Sequence, residues 1–361
     1  MIPPRSGNGL MKTMTSSHET LASPQPRRRT NRFVFWAGRL LLGLLALIVL
    51  LAASGAAYEA IMATGDTRRY PPPGQLVDVG GYRMHLHCVG QGSPTVVLDA
   101  GLGAFSLDWG AVQPQIATST RVCAYDRAGL GWSEPGPPPR SPRQFAAELH
   151  TLLTNAGVQG PYVLVTHSIS GKTARLFASQ HPNQVAGIVL VDARHESVDD
   201  HLTPEQVAAE DAQQQRFQAM IKWMARFGLV RLLWAPAWPS MLPGSENLSP
   251  QSRTAIGVLQ ARPKQIENAL AEGQGRMESN SLLRAAAPLG DKPLVVLASA
   301  QSIDNLPFWK EAQQVMTGLS SNSRLIIAPG GHAVHFEQPA LVVESIRQVL
   351  DAARTGQPLK P

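Results

Sequence analysis

Residues 40–58 run for nineteen positions without a charged side chain. A stretch of that length and apolarity spans the hydrocarbon core of a bilayer as a single helix, so it divides the chain before any other pattern is weighed. Arg27, Arg28, Arg29, Arg32 and Arg39 precede it, and Trp36 and Tyr58 stand near its ends as interfacial aromatics. Residues 1–70 carry nine Lys or Arg against three Asp or Glu, whereas the rest of the 361-residue chain carries 23 of each. The whole net charge of +6 therefore sits at the N-terminus, where it reads as a membrane-topology signal. A folded part without net charge argues against a nucleic-acid partner. The basic flank is expected in the cytoplasm and everything after Tyr58 across the membrane. That part is secreted if Ala53-Ser54-Gly55-Ala56-Ala57 is a signal-cleavage site.

This gives a disordered basic tail over 1–39, a transmembrane helix over 40–58 and a linker over 59–74 stiffened by Pro71-Pro72-Pro73. A folded domain is expected over 75–361. Strand-like runs fall at 82–89, 95–99, 121–125, 162–165, 187–191, 294–298 and 323–328, and helical patterns at 142–156, 171–181 and 341–354. From Thr95 onward the runs alternate, which predicts an α/β fold: a mostly parallel twisted sheet with helices on both faces. The run 82–89 lies close enough to 95–99 to pair with it antiparallel. Residues 194–290 break the rhythm with helical stretches and no strand, and read as a helical cap inserted over one end of the sheet. Within it, Met220, Trp223, Met224, Phe227, Leu232, Leu233, Trp234, Trp238 and Met241 are expected mostly to pack between cap helices, with some facing a cleft.

Cys88 and Cys123 lie in separate strand runs. Outside the cytoplasm they can pair as a disulfide; otherwise they serve as two small buried apolar side chains. No zinc spacing occurs, and His85 and His87 merely share a strand face, so no metal is expected.

Three loops can carry chemistry. In Tyr162-Val163-Leu164-Val165-Thr166-His167-Ser168-Ile169-Ser170-Gly171 a buried strand passes through a tight turn of small residues around a serine into a helix. That is the layout of a nucleophile elbow, with Thr166 and Ser170 where glycines usually stand. In Asp99-Ala100-Gly101-Leu102-Gly103 a strand ends in a loop whose backbone N–H groups are free to meet a developing oxyanion. In Ala328-Pro329-Gly330-Gly331-His332 a late strand runs into a glycine loop bearing a histidine that can take a serine proton.

Each loop alone is an ordinary turn. Together, in the order serine then histidine and each after its own strand, they resemble the cap-bearing serine hydrolases of the α/β-hydrolase superfamily. Tyr125-Asp126-Arg127-Ala128-Gly129-Leu130-Gly131-Trp132-Ser133 is similar to the loop after the fourth strand of that family. The resemblance covers roughly residues 75–353. It implies Ser168 as nucleophile, His332 as general base, and the Leu102 and Ile169 amides as oxyanion donors. It implies no metal or organic cofactor, and the apolar cap suggests a small-molecule substrate with an apolar group. For the acid, Asp304, after the strand 294–298, is favoured over Asp192, which ends the strand 187–191.

Two readings compete. A non-catalytic binding protein on the same fold would account for the altered elbow. A phosphate-binding loop around Gly171-Lys172-Thr173 would require glycine at position 166, where threonine stands. Oligomeric state has no signature in the sequence.

Overall fold

The computed structural model describes residues 30–201, 203–306 and 308–360. The described residues divide into two units, one ending at Leu51 and the other beginning at Ala52. Helix α1 (Thr30–Arg69) contains the apolar run, and Arg32–Arg69 is long and apolar enough to cross a membrane. Two sequence boundaries are corrected here. Residues 30–39 of the expected disordered tail are helical, while 1–29 lie outside the described residues. Residues 59–69 of the expected linker are helical as well, because no proline intervenes before Pro71 and Glu59 and Asp66 fall on one helix face.

In the second unit, eight strands form one sheet in the order β1-β2-β4-β3-β5-β6-β7-β8. They are β1 (Gln75–Asp78), β2 (Arg83–Val89), β3 (Thr95–Asp99), β4 (Val122–Tyr125), β5 (Tyr162–His167), β6 (Val185–Val191), β7 (Leu294–Ser299) and β8 (Ser323–Ala328). β1, β2 and β4 pair antiparallel, and every pair from β4 to β8 is parallel. The expected pairing of residues 82–89 with 95–99 does not occur: β2 lies against β4, with Cys88 opposite Cys123. β3 is buried at every residue and takes a central place between β4 and β5. Parallel strands of this kind must be covered on both faces.

Side-chain alternation assigns the two faces. Val97, Leu164, Ile188, Leu190 and Val296 share one core with α3 (Pro142–Asn155) and α4 (Ser170–Gln180). Val96, Leu98, Val163, Val165, Val189 and Leu297 share the other with α2 (Gln113–Ile116) and the C-terminal α13 (Pro339–Thr355). The insertion after β6 is helical as expected: α5 (Pro204–Arg226), α6 (Leu229–Met241), α7 (Pro250–Gln260), α8 (Pro263–Gly275) and α9 (Asn280–Arg284). A capping box between Thr203 and Gln206 starts α5. α10 (Ala300–Asn305) and α11 (Trp309–Thr317) follow β7, and the short α12 (Val334–Glu337) precedes α13. Most of the large apolar residues expected to pack between cap helices do not: Met220, Trp223, Leu232, Leu233, Trp234 and Met241 are exposed, and Trp238 is buried.

Candidate active site

The turn between β5 and α4 forces Ser168 to φ +56°, a left-handed conformation uncommon for a residue with a side chain. Its neighbours hold it there. The Ser168 amide donates to the Val191 carbonyl (3.1 Å), and its carbonyl accepts from the amides of Gly171 (3.2 Å) and Arg194 (3.0 Å). A Cβ on Gly171 would stand 2.6 Å from that of Ala193, so the start of α4 lies tight against the exit of β6. The two elbow positions that lack glycine are accommodated. Thr166 is a buried β5 residue, and Ser170 Oγ donates to the Ala100 carbonyl (2.5 Å) while accepting from Arg127 Nη1 (2.9 Å).

His332 reaches this serine from the loop after β8. Its Nε2 lies 3.0 Å from Ser168 Oγ and its Nδ1 2.6 Å from Asp192 Oδ2. The loop is pinned on both sides. The Gly330 carbonyl accepts from Ser299 Oγ (2.8 Å), the Gly331 amide donates to Glu337 Oε2 (2.9 Å), and the His332 carbonyl meets His167 Nε2 at 2.9 Å. Gly330 sits at φ +102°, and a Cβ there would strike Glu337 Oε2. His335, one turn further on, is buried, and burial with His332 nearby pushes its pKa down to about 3, so it stays neutral.

The carboxylate at His332 is thus Asp192, which corrects the preference for Asp304. Asp304 is exposed near the end of α10. The segment that carries it supplies donors instead: Ser299 N (2.9 Å), Ser302 Oγ (2.6 Å) and Trp309 Nε1 (2.8 Å) all bond to the buried Asp192. Burial raises the Asp192 pKa, but the hydrogen bonds from His332 and Ser302 outweigh it and hold the group below its ordinary value. Asp192 leaves β6, the strand beside β5, so Asp192 and Ser168 emerge from adjacent strand ends.

Leu102 lies on the loop after β3, whose backbone is fixed from behind by Arg127, a residue sequence reasoning did not single out. Its Nη1 donates to the Ala100 carbonyl (2.5 Å) and Asp99 Oδ1 (2.6 Å), and its Nη2 to the Gly101 carbonyl (2.6 Å). Because a trans peptide sets N–H opposite C=O, anchoring the Gly101 carbonyl on Arg127 turns the Leu102 N–H to the other side. The cap shares in this clamp. Glu272 of α8 accepts from Arg127 Nε (2.7 Å), Arg127 Nη2 (2.9 Å) and the Gly103 amide (3.0 Å). Ile169 precedes the first turn of α4, where backbone N–H groups have no partner within the helix.

Ser168 and His332 open into a cavity of about 450 Å³ whose wall includes Leu102, Ala104, Ala333 and Phe336, with Leu242 and Pro243 from the cap. Asp108 is buried in the same wall. Burial, with Asp126 nearby, pushes its carboxyl up to about 8, so it is mostly protonated at neutral pH. Lys172, the residue a phosphate-binding loop would use, is buried and bonded to Asp199 (2.8 Å), Asn280 (2.7 Å) and the Arg276 carbonyl (3.1 Å). Its ammonium is committed to the cap. Cys88 and Cys123 are joined as a disulfide across the β2–β4 pair.

A family model for the alpha/beta hydrolase fold matches residues 94–339, more than half of the chain. The chain belongs to the α/β-hydrolase family. An uncharacterized protein of Schizosaccharomyces pombe is 36% identical over an alignment of 151 positions that covers 34% of this chain, and the chain spans only 28% of that relative's length. A thermophilic esterase from Thermogutta terrifontis is similar in structure, with TM-score 0.57 and 23% identity, covering 78% of this chain and 99% of the esterase. The epoxide hydrolase CorEH is similar too, with TM-score 0.56 and 21% identity over 75% of this chain and 95% of that one. At these identities the structural likeness establishes the fold.

Proposed function

We propose that this α/β-hydrolase is a serine hydrolase that cleaves an ester-like bond through an acyl-enzyme. The observation that carries the reading is the chain of contacts from Ser168 Oγ to His332 Nε2 (3.0 Å) and from His332 Nδ1 to Asp192 (2.6 Å). Ser168 Oγ attacks the carbonyl carbon as His332 Nε2 takes its proton, and Asp192 holds the imidazole in register and stabilises the cation. The Leu102 and Ile169 amides bear the tetrahedral oxyanion. The imidazolium then protonates the leaving alkoxide. Water, deprotonated by His332, attacks the acyl carbon and releases the acid and free Ser168. The apolar wall formed by Leu102, Leu242, Pro243 and Phe336 favours a substrate with a hydrophobic acyl or alcohol group.

The residue directly after β5 is a serine, Ser168, which supports acyl transfer over an epoxide-opening route with an aspartate nucleophile. The apolar N-terminal helix and the Cys88–Cys123 disulfide support a membrane-anchored enzyme with its hydrolase domain outside the cytoplasm. The test is intact-mass labelling of the full-length protein with a fluorophosphonate, beside Ser168→Ala. One adduct on the wild type and none on the variant is expected. No adduct on folded wild type would turn the reading to a binding protein on a hydrolase fold.

A further inference from the structure

Helix α6 wears its apolar side outward. Val230, Arg231 and Trp238 are buried, whereas Leu229, Leu232 and Leu233 are 44%, 55% and 65% exposed, and Pro236 is exposed beside them. The exposed four are spaced i, i+3, i+4, i+7, one helix face. α6 holds one charged side chain, Arg231, and it points inward. A contiguous apolar face of this kind marks an interaction surface.

The chain itself indicates what the face meets. Residues 52–70 are fastened to α6 and to the turn that precedes it. A Cβ on Gly55 would stand 2.5 Å from the Phe227 carbonyl oxygen, and one on Gly228 2.8 Å from the Tyr58 ring. Arg231 then forks onto Glu59 (2.8 and 2.7 Å) and reaches Asp66 (3.2 Å), which also accepts from Arg262 Nε (3.0 Å). All four of these charged side chains are buried. The last residues of the apolar run, 52–58, therefore pack against the α5–α6 turn within the second unit.

We infer that the outward face of α6 is a bilayer-docking surface, with Leu229, Leu232, Leu233 and Pro236 seated among the lipids of the membrane that residues 40–58 cross. The inference rests on reading that run as a membrane segment and goes beyond it, since an anchor alone would leave the cap at any distance from the lipid. Lipid fits this face better than a protein partner, because the face offers apolar surface without polar groups to set a register. It also gives the cavity a route of supply. Leu242 and Pro243, directly after the exposed Met241 at the end of α6, line the catalytic cavity, so an apolar substrate dissolved in the bilayer arrives beside Ser168.

The experiment uses the full-length protein in phosphatidylcholine vesicles with and without doxyl-labelled lipid. The native cysteines are paired, so Leu233→Cys, Leu45→Cys and Asp351→Cys each present one free thiol for an environment-sensitive fluorophore. Blue-shifted, doxyl-quenched emission is expected at positions 45 and 233, and water-like, unquenched emission at 351. Quenching at 45 with water-like emission at 233 would overturn the docking surface while leaving the anchor intact. A blue shift at 233 without doxyl quenching would overturn it in favour of a protein cover, such as a second copy of the chain. No quenching at either position would remove the membrane reading and the inference with it.

Discussion

Asp192 and His332 lie 140 residues apart in the chain and meet at 2.6 Å, Oδ2 to Nδ1. Three further donors close on the same carboxylate, from Ser299, Ser302 and Trp309. Asp192 is thus oriented before it orients anything else. The segment after β7 contributes to the site through donors to the acid and leaves its own aspartate, Asp304, on the surface.

Asp192→Asn is expected to lower kcat about 10³- to 10⁴-fold on any ester the enzyme turns over, the scale seen when a triad acid loses its charge. Asp304→Asn should stay within about twofold of wild type, as surface changes away from the reacting groups do. Steady-state kinetics of the two variants side by side checks both. An inactive Asp304→Asn beside an active Asp192→Asn would reverse the assignment.

The legible parts of this site were those with a local signature. Ser168 and His332 could be read because a strand, a turn of small residues and a helix are contiguous in sequence. The acid was ambiguous because Asp192 and Asp304 both follow strands, and the choice depends on where the β7 exit folds relative to β6. Arg127 sits in the stretch that resembles the family's loop after the fourth strand, but its role was not legible because its partner Glu272 is 145 residues away. The order of residues 59–69 was missed for the same reason: Glu59 finds Arg231 across 172 positions. In α6 the apolar residues were expected mostly to pack between cap helices, but an apolar composition does not say which side meets the protein. β1 was missed because four residues are too few to show a period.

Ser170 takes the place of an elbow glycine and ties Arg127 to the Ala100 carbonyl. Ser170→Ala removes two buried hydrogen bonds while Arg127 keeps its carboxylate and carbonyl partners, so a stability loss of about 1–2 kcal/mol is expected. Because the Leu102 amide itself remains, kcat should fall by roughly 2- to 10-fold, less than the 10²–10³ of a deleted oxyanion donor. KM should hold nearly constant. A change confined to KM would count against the positioning role.

Asp108 gives the protein a pH signature of its own. The unfolded carboxyl titrates near about 4, whereas in the folded protein burial and Asp126 raise it to about 8. Between those values the native state keeps a proton that the unfolded state has released, so this group makes stability fall as pH rises. Asp108→Asn removes that slope. Its Tm should exceed wild type at pH 8, with the difference closing toward pH 4; parallel melting curves across this range would contradict the assignment.

Arg231 holds Glu59 and Asp66 together out of water. Arg231→Met strands the buried Glu59 carboxylate, Asp66 retaining Arg262, and is expected to destabilise by about 3–5 kcal/mol. Removing the stranded charge as well, in Glu59→Gln, Arg231→Met, should recover most of that loss, because the penalty comes from unpaired charge while Asp66 keeps Arg262. Thermal melts of the two proteins in the same detergent decide it. Equal destabilisation would mean that the bonds themselves, and not the stranded charges, fix residues 52–70 to the cap.

The disulfide ties β2 to β4 at a cross-strand position where the two Cα atoms are 4.0 Å apart, and it closes a loop with a sequence separation of 35. On the chain-entropy estimate a loop of that size contributes about 4 kcal/mol. Protein recovered from an oxidising compartment should show no free thiol on denaturation, and reduction should lower Tm on the order of 10 °C. The β2–β4 pair lies at the opposite side of β3 from β5, so Cys88→Ser with Cys123→Ser should still label at Ser168 below its lowered Tm. Two free thiols in protein made outside the cytoplasm would remove the bond and, with it, one of the two supports for an extracytoplasmic enzyme.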